Sequence, residues 1–179
     1  MDKELINQYK ILHQLKGDYG SGSDSFKYLE ELLELINSND IKHVLDFGCG
    51  KGFLIDKIKQ SGVKCSGYDP AIEEFKEFPE DIEDVDLVVS TDVFEHLNED
   101  CMHEDFNLIK KANPKFLYFN VATQSAINKL PNGMNCHTIV KNHSWWEDKI
   151  KESFQDFKII NKEISPSGAP SVIFTLILK

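Results

Sequence analysis

Two groups of residues in this chain have the types and spacing of a working site. The first is Asp46-Phe47-Gly48-Cys49-Gly50-Lys51-Gly52, followed by Asp69. A Gly-x-Gly-x-Gly loop between the apolar run Val44-Leu45 and the helical face of Phe53, Leu54 and Ile58 lets backbone N–H groups approach a ligand closely. The dinucleotide fingerprint would put its third glycine at position 53, where Phe53 stands. Asp46 argues the same way, because a carboxylate at this loop repels a pyrophosphate but suits a cationic amino-acid group. Asp69 stands at the tip of the next predicted strand, about twenty residues on, where an acceptor-only group can take both hydroxyls of a ribose. A tight turn that holds no ligand is the bland alternative.

The second group lies in Ser90-Thr91-Asp92-Val93-Phe94-Glu95-His96-Leu97, after the apolar run Val85 to Ser90. If the chain turns helically after Thr91, Asp92 lies one turn from Glu95 and His96, with two oxygens and one nitrogen on one face. Such a set suits a divalent cation or a general base. Packing beside a ligand, with His96 bonded to backbone, is the third alternative. Trp145 and Trp146 either pack against the sheet or wall a pocket, and His143 is placed near the surface.

The elements that must position these groups follow from periodicity. Leu5, Tyr9, Leu12 and Leu15, then Phe26, Leu29, Leu33 and Ile36, predict two N-terminal helices separated by 17–25. Strands are predicted at Val44 to Phe47, Lys64 to Tyr68, Val85 to Ser90 and Lys115 to Val121. Asn98 is the expected cap of a helix closed by Asn113-Pro114, and Ser144-x-x-Glu147 reads as the capping box of another. Lys158 to Ile164 and Val172 to Leu178 predict a terminal antiparallel hairpin about a turn at 166–170. Alternating strand and helix is the pattern of a parallel sheet.

Val44 to Gly52 resembles the first motif of the class I S-adenosylmethionine-dependent methyltransferases, and Tyr68-Asp69 the end of their second, over roughly residues 17–179. The resemblance implies an α/β fold: a Rossmann-like seven-stranded, mostly parallel sheet with an antiparallel last strand and helices on both faces. It implies one domain over 1–179, with N-terminal helices and a cofactor lid in 1–40 and the core in 41–179. S-adenosylmethionine would lie with its methionine over Gly48 and Gly50 and its ribose on Asp69. Tyr19, Gly20, Asp46, Phe47, Cys49, Pro70, Ser90, Thr91 and Asp92 complete the expected cofactor contacts. One departure is that the connection from Asp69 to Val85 is short and lacks the third strand with its acid-containing adenine contact. Those contacts then come from 75–78 or from Ser90-Thr91.

The Asp-x-x-Glu-His segment is similar to one in ubiquinone-biosynthesis O-methyltransferases and small-RNA 2′-O-methyltransferases, where an acid, Glu and His hold a divalent metal. A later histidine completes the set in the RNA enzymes, and His137 matches it. The resemblance therefore implies magnesium on Asp92, Glu95, His96 and His137, with His96, Glu95 and His137 as the catalytic residues.

Composition narrows the partners. All 20 basic residues are Lys, against 30 acidic ones, for a formal net charge of -10. Nucleic acid is disfavoured by this balance and by the lack of any Arg fork. Acidity peaks between Asp69 and Asp105, where Lys76 is the only basic residue; a solvated rim is one reading, and a negative field near a cationic ligand or metal is the other. Cys49, Cys65, Cys101 and Cys136 are scattered and read as free thiols of a reducing compartment. A polar start, with no run of roughly 18 apolar residues, leads us to expect a soluble, unprocessed cytoplasmic protein with no membrane partner. The expected activity is methyl transfer to a small-molecule acceptor, preferably a hydroxyl oxygen. The rivals are a nicotinamide-dependent oxidoreductase and a non-catalytic module that binds S-adenosylmethionine.

Overall fold

The computed structural model describes residues 2–20, 26–80, 82, 85–164 and 170–179. Its elements are α1 (Lys3–Leu15), α2 (Phe26–Ser38), β1 (His43–Phe47), α3 (Phe53–Gln60), β2 (Lys64–Tyr68), β3 (Leu87–Thr91), α4 (Met102–Lys111), β4 (Phe116–Ala122), α5 (His143–Ser153), β5 (Phe157–Ile164) and β6 (Ser171–Leu178). The strands form one sheet in the order β2-β1-β3-β4-β6-β5. The first four are parallel, and β6 runs antiparallel between β4 and β5.

Strand alternation sends successive side chains to opposite faces. Leu45, Phe47 and Val88 face a layer built by Met102, Phe106 and Ile109 of α4 and by Trp146 and Ile150 of α5. Val44, Leu87 and Val89 face Leu32 and Ile36 of α2 and Leu54, Ile55 and Ile58 of α3. β1, β3 and β4 are buried throughout except at Thr91, as parallel strands covered on both sides must be. Helix α1 joins neither layer; its Leu12 packs with Leu130 and Cys136 in a separate small cluster above the sheet.

The sheet has six strands among the described residues, not seven. From Asp69 to Phe75 the chain folds back in tight turns, Ile72 N–H to Asp69 O at 3.1 Å, Phe75 N–H to Ile72 O at 3.0 Å and Asp69 N–H to Phe75 O at 2.9 Å. The segment is rich in Asp and Glu, and its apolar residues, among them Ile72, Phe75, Phe78, Ile82 and Val85, are spaced singly between charged ones. Among the described residues β2 is the edge strand on this side of the sheet.

Two caps differ from expectation. Asn98 closes a local turn by accepting the Asp100 N–H at 3.0 Å, and α4 starts at Met102. Asn142, not Ser144, caps α5 by accepting the Trp145 N–H at 2.9 Å. Glu147 is drawn instead to Lys151 at 2.7 Å and to Lys162 at 2.5 Å. The hairpin of β5 and β6 is present, while its turn at 165–169 lies outside the described residues, as does the 21–25 part of the expected lid. Trp146 is buried in the core, and Trp145 stacks beneath the Lys141 ammonium. All four cysteines are free. Among the described residues no helix is long and apolar enough to cross a membrane.

Candidate active site

The chain leaves β1 towards β2 on one side and returns to β3 on the other, so the sheet has its switch point between β1 and β3. Ligands of such sheets sit beyond the strands' carboxyl ends at that point. A cavity of about 590 Å³ opens there, within the size range of small-molecule sites.

The glycine loop forms its floor. Gly50 has φ +52, and a Cβ there would lie 2.6 Å from the Gly20 carbonyl oxygen. Only glycine lets the two backbones meet, and Lys51 fastens the contact: its N–H donates to Gly20 O at 3.0 Å and its ammonium to Gly17 O at 2.6 Å. The segment ahead of the core thus folds over the loop. Tyr19 is half-buried and packs against the cluster of Leu12, Leu130 and Cys136.

Asp69, at the end of β2, accepts the Gly50 N–H and the Ala71 N–H, both at 2.9 Å. Burial raises its pKa against these bonds and the nearby His13. Asp46 is only 3% exposed. Burial, and then the charge of Asp69, push it up to about 7. A buried carboxylate with so little compensation favours a cation beside it.

The second group surrounds the turn after β3. Asp92 adopts φ 55, a left-handed conformation that Asp tolerates better than most residues. The following turn is a 3-10 turn, Phe94–His96, rather than the helical turn expected from Thr91. Glu95 is fully buried; its Oε1 accepts the Ala122 N–H at 2.8 Å and its Oε2 has no partner. Burial, then the charge of Asp92, raise Glu95 well above the carboxylate range.

A loop after β4 brings in His137. Asn135 staples it, exchanging hydrogen bonds with Ala126 at 2.9 and 2.8 Å while its Oδ1 also accepts the His137 N–H at 2.9 Å. Ile139 N–H to Glu95 O at 3.0 Å and Thr138 O–H to Leu97 O at 2.6 Å tie this loop to the 3-10 turn. Ligand atoms of Glu95, His96 and His137 consequently lie within 4.8 Å of one another. Asp92, expected as a fourth member, is not among them: its backbone directs it to Asn120, whose Nδ2 donates to it at 3.4 Å.

The imidazoles are set for lone-pair donation. His96 Nδ1 lies 2.9 Å from Cys136 O, and His137 Nδ1 lies 2.5 Å from Gln124 O. A carbonyl only accepts, so Nδ1 carries the proton in both rings and Nε2 is left unprotonated. Burial, reinforced by His137, pushes His96 down to about 3 and keeps it neutral; burial lowers His137 as well. Two neutral imidazoles oriented by backbone carbonyls, with an unpartnered carboxylate oxygen, match what a divalent cation requires of its ligands and their supports.

Of the expected cofactor residues, Tyr19, Gly20, Asp46, Phe47, Gly48, Cys49, Gly50, Asp69, Pro70, Thr91 and Asp92 line the cavity; Ser90 is buried outside its wall. His96 and His137 also line it, with Glu95 behind them. None of 75–78 reaches it. The sequence reading predicted α1 but did not place it at the site: Leu5, Tyr9 and His13 form an i, i+4 stripe along the cavity. The Tyr9 hydroxyl donates to Cys136 O at 2.5 Å and touches His96 Nδ1 at 3.1 Å. The available signal was a histidine inside an otherwise packing-like helical pattern.

Residues 19–149 match the family model for the methyltransferase domain. The chain belongs to that family. This methyltransferase has the class I Rossmann-like core, and S-adenosylmethionine fits it as cofactor. Among solved structures, the small RNA methyltransferase HEN1 superposes with TM-score 0.66 at 17% identity, over 87% of the methyltransferase and 25% of HEN1, so this chain spans a quarter of that protein. DhpI, solved with SAH, gives 0.65 at 15% over 99% and 98%. Burkholderia thailandensis 1,6-didemethyltoxoflavin-N1-methyltransferase gives 0.67 at 11% over 97% and 88%. These identities establish shared fold. No curated protein matches the methyltransferase in sequence.

Proposed function

We propose that the chain transfers the methyl group of S-adenosylmethionine to a hydroxyl oxygen of a small molecule, within one domain over 1–179 whose first 40 residues act as helices and lid. The observation that carries the cofactor reading is the pair Asp46 and Asp69, one carboxylate buried and one half-buried, in one cavity at the glycine loop. Asp46 suits the cofactor's ammonium and Asp69 its ribose hydroxyls, whereas a pyrophosphate would meet two repelling charges. This favours the sulfonium nucleoside over a nicotinamide cofactor.

S-adenosylmethionine, when bound, supplies an electrophilic methyl on its sulfonium. The side chains of Glu95, His96 and His137 would hold a divalent cation, magnesium being the expected ion, which polarises an acceptor hydroxyl and eases loss of its proton. The chain's own tasks are orientation and exclusion of water. Tyr9 and the Cys136 carbonyl hold the His96 ring, Asn135 holds His137, and the lid over Gly50 covers the cofactor side. In-line attack needs the acceptor oxygen near the methyl, so a rigid cluster beside the cofactor lobe contributes by proximity.

A terminal ribose is the second reading, because the same three residues would suit its adjacent hydroxyls and HEN1 is a small RNA methyltransferase. The acidic cavity, lined by Asp2, Asp18, Asp46, Asp69, Asp92 and Asp105 with Lys16 as its one lysine, favours an acceptor without phosphates. Labelled S-adenosylmethionine offered with a hydroxyl-bearing small-molecule panel and with RNA separates the readings. Transfer to small molecules alone is expected; transfer to RNA alone overturns the acceptor assignment. Loss of S-adenosylhomocysteine binding in Asp69→Ala, read by calorimetry, tests the cofactor assignment separately.

A further inference from the structure

The connection from β4 to α5, residues 123–142, is long for a link that forms no helix or strand of its own, a length usually met where a loop has a binding task. It is held firmly. Leu130 N–H donates to Met134 O and Gly133 N–H to Leu130 O, both at 2.8 Å, and Cys136 N–H donates to Asn128 O at 3.2 Å. Helix α1 fastens it from outside: Gln8 Oε1 accepts the Asn132 N–H at 3.0 Å, and the Lys16 ammonium reaches Asn128 Oδ1 at 2.5 Å. Leu130 and Cys136 are buried with Leu12, and Ala126 and Tyr19 pack around them.

Ile127 is left out of that packing. Ala126 before it is bonded to Asn135 through both its N–H and its carbonyl, and Asn128 after it through its carbonyl and its side chain. Bracketed in this way, the Ile127 side chain is fully exposed, at 101% the barest of the large apolar residues described, and it lines the cavity together with Gln124, Ser125 and His137. A single isoleucine on an outer surface is ordinary. One fixed on a cavity wall by bonds on both sides turns bare apolar surface towards the space a ligand fills, and covering it favours binding.

We propose that Ile127 is the wall on which the acceptor's hydrocarbon body lies, so that the chain selects hydroxyl compounds carrying an uncharged alkyl or aryl portion. The proposal rests on the methyl-transfer reading and deepens it by naming the acceptor class. His137 and Ile127 belong to one tied loop, so the polar end of the site and its apolar wall keep a fixed spacing. Ala126 and Tyr19 also line the cavity and extend the apolar surface. An anionic body in this position would meet the cavity's aspartates, whereas an uncharged one meets no such repulsion.

The test titrates the full chain, with magnesium and S-adenosylhomocysteine present, with p-cresol, para-propylphenol and para-pentylphenol by calorimetry. The wild type should bind the pentyl compound about tenfold or more tighter than p-cresol, short of the roughly fourfold per methylene of full burial because one wall covers one side. Ile127→Ser should flatten the series while melting like the wild type, since the side chain is bare in the free chain. Ile127→Leu should keep the series, as should the control Ile160→Ser on β5, half-exposed and away from the cavity. A wild type that binds none of the phenols, a flat series in the wild type, or an unchanged series in Ile127→Ser overturns the Ile127 assignment. So does a dimer in sedimentation that Ile127→Ser dissolves, which would give the side chain to a second copy. S-adenosylhomocysteine is titrated first on its own: failure to bind it overturns the cofactor reading, and the phenol series run without it still decides Ile127.

Discussion

Replacing Gly50 by alanine tests how the lid is seated on the glycine loop. The left-handed backbone at φ +52 costs an alanine about 1–2 kcal/mol. Its Cβ would also stand 2.6 Å from the Gly20 carbonyl oxygen, a backbone atom that cannot rotate away. Moving that carbonyl breaks the 3.0 Å bond from the Lys51 N–H, worth about 1 kcal/mol. The sum, about 2–3 kcal/mol, lowers Tm by roughly 4–12 °C for a chain of this size. Because the Gly50 N–H also donates to Asp69, S-adenosylhomocysteine affinity should fall more than about tenfold, or about 1.4 kcal/mol. Gly62→Ala is the control, since Gly62 has φ +86 with nothing within 4 Å of the added Cβ. It carries the backbone strain alone and should leave affinity unchanged. Calorimetry and melting of both variants decide; wild-type affinity in Gly50→Ala would refute the seating of the lid.

Three further outcomes follow from the site. Burial, and then the charge of Asp69, push the Asp46 carboxyl up to about 7 from an ordinary 3.8. Its protonation therefore stabilises the ligand-free fold at low pH, and that contribution is lost as pH rises from about 4 to about 7. Relative to Asp46→Asn, the wild type should lose at most about 4 kcal/mol across that window, read by urea unfolding at several pH values; a flat difference would contradict it. His137→Ala should lower turnover by an order of magnitude or more and abolish its dependence on added magnesium, while chelator should inhibit the wild type; full activity in chelator eliminates the metal. Tyr9→Phe removes a donor to Cys136 O and should cost about 1 kcal/mol of stability, measured by denaturant titration, with a matching fall in kcat; an unchanged kcat would show that α1 does not support His96.

The sheet and its glycine loop were legible because strand burial and tight turns leave local marks. Val44, Leu45 and Phe47 are apolar and followed by glycine, and β4 is a run of buried, largely apolar residues. Asp46, Asp69, Glu95, His96 and His137 were singled out for chemical type. Their convergence was not legible, because it depends on contacts distant in sequence: Asn135 on Ala126, Thr138 on Leu97, and the Ala122 N–H on Glu95. Asp92 shows the opposite case: helical spacing pointed to a shared ligand set, but with a left-handed backbone its side chain stands beside Glu95 and Asn120 and outside the cluster of Glu95, His96 and His137. Tyr9 and Asp105 looked like ordinary helix residues until tertiary packing put them on the cavity wall. The seven-stranded expectation came from resemblance, whereas Asp69 to Phe75 is spent in tight turns.

A crystal structure with S-adenosylhomocysteine bound tests the central claim most directly. The account predicts the ribose hydroxyls on Asp69 and the ammonium facing Asp46 beneath the lid. An empty cavity, or a nucleoside whose ribose lies away from Asp69, would contradict it.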